Sequence, residues 1–108
     1  MPRGPVRVGW AGTTCSASGA DLRALRHQFD REHCLRLTEF LDPGVLAWLR
    51  AALERAEFTE RSPGGIGLEH TMRPDASWGL LHLLVNDPAL FAIVETITGC
   101  PPIVSFIG

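Results

Sequence analysis

The sequence predicts an α+β chain of about four short helices and a few short strands. Three observations carry that expectation. Apolar residues recur at helical spacing behind Asp-Pro and Ser-x-x-Asp starts. Shorter stretches alternate apolar and polar residues with period two. Clusters of Gly and Pro separate the two patterns. At 108 residues, with 45% hydrophobic and 20% charged side chains, the chain suits one small globular domain rather than two.

Residues 1–18 are rich in Gly, Pro, Ser and Thr without sustained periodicity. Such a stretch buries too little apolar area to offset the entropy of ordering it, so a flexible leader is expected here, with Trp10 loosely packed and the ordered region spanning 19–108. Ser18 followed by Asp21 forms a capping arrangement, and Leu22, Leu25 and Phe29 give the first helix its apolar side until it fades near Glu32. Over 34–40 the period changes. Leu35 and Leu37 alternate with Arg36 and Thr38, which predicts a short strand with one wet face.

Asp42-Pro43-Gly44 is the clearest punctuation in the chain. Asp42 suits the N-cap and Pro43 the first helical position, where no amide donor is lost. Val45, Leu46, Leu49, Ala52, Leu53 and Ala56 then form an apolar stripe. A brief strand is expected over 58–61, a turn at Ser62-Pro63-Gly64-Gly65, and a second strand over 66–72. Asp75 opens a third helix with Trp78, Leu81, Leu84 and Val85 on its buried side. Asn86-Asp87-Pro88 ends that helix and starts a fourth, carrying Leu90, Phe91, Val94 and Ile97, with Gly99 as its left-handed cap. The closing run 103–107, in which Ile103, Val104, Phe106 and Ile107 are apolar, reads as a buried strand without an obvious partner in the chain.

Ten basic and twelve acidic side chains are interspersed and leave a net charge of −2, so no basic row is available for a nucleic-acid backbone. No apolar run approaches the roughly 20 residues that cross a bilayer, which argues against a membrane protein. No signal-peptide core follows Arg3 and Arg7, so a cytoplasmic location is expected. Cys15, Cys34 and Cys100 are odd in number and widely spaced, which suggests neither a disulfide framework nor a zinc site. They are expected to be reduced, with Cys34 and Cys100 in the interior. The Gly64-Gly65-Ile66-Gly67 stretch lacks the Lys-Ser/Thr of a phosphate-binding loop, and no nucleophile elbow is present.

The order of elements, with the stretches LTEFLDPGVLAWLRAALERAEF, GIGLEHTMR and LLHLLVNDPALFAIVETITGCPPIVSFIG, resembles the N-terminal region of bacterial 2-oxoglutarate and Fe(II)-dependent oxygenases. The likeness is to the prolyl-hydroxylase and phytanoyl-dioxygenase type, and it implies an incomplete N-terminal portion of a double-stranded β-helix (jelly-roll). It also implies a parent dioxygenase that hydroxylates a small-molecule substrate with Fe(II) and 2-oxoglutarate. In that family a His-x-Asp/Glu pair and a distant His leave iron positions open for co-substrate and dioxygen. Here the residues two after His27, His33, His70 and His82 are Phe29, Leu35, Met72 and Leu84. None is a carboxylate, so no metal ligand or catalytic residue carries over, and this chain by itself is not expected to turn over. The resemblance makes Glu69 and His70 the candidates for a substrate entrance; an exposed acid and a half-buried imidazole on an ordinary strand is the plainer reading of the same two residues. A small non-enzymatic α+β interaction module, pairing its edge through Ile103 to Ile107 with another chain, is the competing expectation.

Overall fold

The computed structural model describes residues 4–106. It is mixed α+β, with two separate two-stranded antiparallel sheets and four helices: β1 (Val6–Gly9), β2 (Gly12–Cys15), α1 (Gly19–Glu32), α2 (Pro43–Arg55), β3 (Phe58–Arg61), β4 (Glu69–Met72), α3 (Ala76–Val85) and α4 (Pro88–Thr98).

The leader expected over 1–18 is corrected over its described part by β1 and β2, which pair from Val6 opposite Cys15 to Gly9 opposite Gly12; residues 1–3 lie outside the described residues. Val6 and Val8 share one face of β1, as period two requires, and both are buried. Val6 packs with Ile93 and Ile97 of α4, flanked by Leu22, Leu25 and Phe29 of α1. Val8 packs with Val45 and Leu49 of α2 and Leu84 of α3. Phe40 touches both groups, so β1 is the spine on which the two halves of the core meet. Two valines aimed at four helices bury enough area to order a segment whose composition argues for disorder. Gly4 adds a close approach: a Cβ there would collide with the Thr38 carbonyl oxygen.

The strand expected over 34–40 is also corrected. Glu39 has a positive φ of 52°, which bends the chain out of extended geometry. Contact with β1 shrinks to one parallel bridge at Leu41, where the Val8 amide donates to the Phe40 carbonyl (2.7 Å) and the Asp42 amide to the Val8 carbonyl (2.9 Å).

The helix starts follow the local chemistry. Ser18 and Asp21 form a reciprocal capping box. Asp42, Asp75 and Asp87 accept from the first-turn amides of Gly44, Trp78 and Ala89 respectively. Gly99, at φ 69°, closes α4 in the left-handed region. Asp87 also reaches across the fold, because its second carboxylate oxygen accepts from the Thr13 amide at 2.7 Å and ties the β1–β2 hairpin to the start of α4. These two amides, Thr13 first, hold its carboxyl below the ordinary range.

The expected strands at 58–61 and 66–72 correspond to β3 and to the shorter β4, which pair antiparallel across the Pro63–Gly65 turn. No single described helix is long and apolar enough to cross a membrane. Cys15 and Cys34 are exposed and Cys100 is half-buried, which corrects the interior placement of Cys34. Cys34 follows the left-handed His33 that ends α1.

The buried strand expected over 103–107 is not formed over its described part. Residues 103–106 belong to no ladder, with Val104 91% and Phe106 54% exposed; Ile107 lies outside the described residues. The run is held by side chains instead. Glu95 accepts from the Ile103 amide at 3.2 Å, and Asn86 engages Phe106. The accessible surface is 7686 Å², against about 5,900 Å² for a compact monomer of this mass. The radius of gyration is 16.2 Å, where about 13 Å is ordinary for this length.

Candidate functional site

The two residues expected at a substrate entrance lie on β4, in the wall of an open cleft of about 420 Å³ between the β3–β4 hairpin and α3. Their side chains are not brought together. Successive residues of a strand face opposite sides, so Glu69 and His70 diverge and each meets its own cross-strand partner. Glu69 is ion-paired with Arg61, the residue opposite it. That contact keeps the Glu69 carboxyl below its usual range and raises Arg61 further. His70 Nε2 lies 3.5 Å from Glu60 Oε1, again the residue directly opposite.

The opposite wall is aromatic. Trp78 and His82 occupy positions i and i+4 of α3, and their rings stack with centroids 3.9 Å apart and planes inclined by 26°. Asp75 fixes the start of this helix, accepting from the Trp78 amide (3.0 Å) and the Ser77 hydroxyl; these contacts, Ser77 first, lower its carboxyl. Trp78 remains 37% exposed, and Met72, Leu81 and Val85 complete the apolar lining.

Phe106 lines the same cleft, and Asn86 sets its position. The Asn86 side-chain oxygen accepts from the Phe106 amide at 2.7 Å. Its nitrogen donates to the Phe106 carbonyl at 3.1 Å and to the His82 carbonyl at 2.8 Å. One side-chain amide thus supplies the pair of bonds that a neighbouring strand would give, while also capping α3.

The sequence expectation puts Trp78 on the buried side of the third helix and gives His82 no part in a site, and it uses Asn86 as that helix's end and Phe106 as part of a buried strand. The i, i+4 aromatic–imidazole spacing was the available signal for the first two. The four histidines fall on separate places, at α1, its end, β4 and α3. Among the described residues, no three His, Cys, Asp or Glu groups converge as a metal site would need.

Comparison of the chain with protein-family models, curated proteins and solved structures gives no match.

Proposed function

We propose that this chain is the N-terminal buttress of a 2-oxoglutarate and Fe(II)-dependent oxygenase, whose metal ligands and co-substrate site are supplied by sequence beyond it. The observation that carries the reading is the apolar run at 103–106, which has no ladder partner among the described residues. An extended segment sends the N–H and C=O groups of alternating residues to opposite edges. Asn86 bonds the backbone of Phe106 and Glu95 takes the Ile103 amide, while the backbone groups of Val104 and Ser105 between them have no partner among the described residues. Such an edge, with Val104 exposed beside it, is a template for a further strand. The surface in excess of a compact monomer supports the same reading, since a layer that backs a sheet keeps one face uncovered until the sheet is in place. In this role the helices position the first strand, and no chemical step falls to the residues described here.

The test is to read the coding sequence in frame past codon 108, and to compare the longer product with the 108-residue chain. A His-x-Asp/Glu pair and a later His are expected, with Fe(II)-dependent conversion of 2-oxoglutarate to succinate by the longer protein only. Hydrogen exchange at Val104 and Ser105 should be fast in the short chain and slow in the long one. A message that terminates after codon 108, giving a monomer that unfolds cooperatively, would overturn the reading in favour of a strand-pairing interaction module.

A further inference from the structure

We propose that the cleft between β4 and α3 is a binding site for a flat, neutral or cationic aromatic molecule of one or two fused rings. The site is made entirely by this chain's own residues, so it can be tested on the 108-residue chain. Its volume of about 420 Å³ lies within the range of small-molecule sites, roughly 300–1,000 Å³. The lining is mostly apolar with a few polar groups at the rim, which is the composition such sites share.

Three features select a flat aromatic ligand. The Trp78 and His82 rings are already stacked on each other, which fixes the orientation of both at the cleft lining, and Trp78 is part exposed. Phe106 would otherwise be a loose side chain on an unladdered segment, but the two bonds from Asn86 fix its backbone at the cleft. A pocket whose walls are set before binding loses less freedom when the ligand arrives. The third feature concerns charge: no Arg is among the residues that line the cleft, and its one lining carboxylate, Glu69, is paired with Arg61 outside that lining, so an anionic ligand finds no guanidinium to meet it there. Indole and quinoline have the required shape, whereas naphthalene-2-sulfonate has the shape with the wrong charge.

Met72 provides the reporter. The chain has two methionines, Met1 and Met72, and Met72 lines the cleft. With ¹³C-methyl-methionine labelling, the Met72 signal is assigned by Met72→Leu and followed during titration with indole, quinoline and naphthalene-2-sulfonate. A saturable ring-current shift with the first two is expected, with the sulfonate weaker. Trp78→Leu, at a part-exposed position, should abolish the shift while the far-ultraviolet circular dichroism stays native. Asn86→Ala should weaken indole binding by roughly three- to ten-fold by freeing Phe106. Phe106→Ala checks the same wall without touching the end of α3. A Met72 signal that does not move at the solubility limit of indole would overturn the proposal. So would one that moves equally in Trp78→Leu, or one that moves equally with the sulfonate.

Discussion

Replacing Asp87 with Ala removes two unlike interactions at once, which makes it an informative single change. One carboxylate oxygen caps α4 through the Ala89 amide at 2.9 Å, and the other accepts from the Thr13 amide at 2.7 Å, 74 residues away in sequence. Loss of an N-cap costs about 1 kcal/mol. The bond to Thr13 has an ionised acceptor, but the carboxylate is partly open to solvent, so about 1 kcal/mol is the appropriate size after screening. The sum, about 2 kcal/mol, corresponds to a fall in Tm of roughly 10 °C for a chain of this size. Thermal and urea unfolding measure it, with Asp75→Ala as the comparison, because Asp75 serves only its own helix start. The Asp87 variant should lose more than the Asp75 variant, and the Thr13 amide should exchange faster with solvent. Equal losses in the two variants would refute the claim that Asp87 joins the hairpin to α4. The charge has its own signature. Because the folded-state value of Asp87 is lowered from 3.8, its contribution is fully present above that value and disappears as pH falls through the lower folded one. Asp87→Asn should remove this part of the acid sensitivity while keeping much of the cap.

Val45→Ala, at a fully buried core position, should cost about 2 kcal/mol in urea unfolding, whereas Leu83→Ala, 70% exposed on α3, should stay within about 0.5 kcal/mol. Gly99→Ala should destabilise by about 1–2 kcal/mol, read as a lower urea midpoint, because φ is 69° there and the new Cβ would meet the Arg26 guanidinium.

The site was only partly legible in the sequence. Glu69 and His70 do reach the cleft wall, and strand alternation alone sends their side chains apart, but that Arg61 lies across from one and Glu60 from the other is set by the register with β3. The stack of Trp78 on His82 is written in the i, i+4 spacing, but its exposure toward a cleft depends on where the hairpin lands. The Asn86 clamp spans 20 residues and joins a helix end to an irregular segment, so no local pattern announces it.

By itself the sequence determined the features whose energetics close within a few residues: the Ser18–Asp21 box, the Asp-Pro starts of α2 and α4, the Asp75 cap and the Gly99 stop. Each is a short-range satisfaction of helix-end groups and needs no knowledge of the rest of the chain. Only the tertiary structure decided that residues 6–15 form a hairpin. The alternation of Val6 and Val8 about Arg7 is too brief to outweigh the surrounding Gly and Ser, and no Asn-Gly turn marks the reversal at Trp10 and Ala11. What orders that hairpin is burial against α2, α3 and α4, together with the bond from Thr13 to Asp87. These contacts are distant along the chain, and hydrophobic burial is counted by the area covered in space rather than by sequence neighbours.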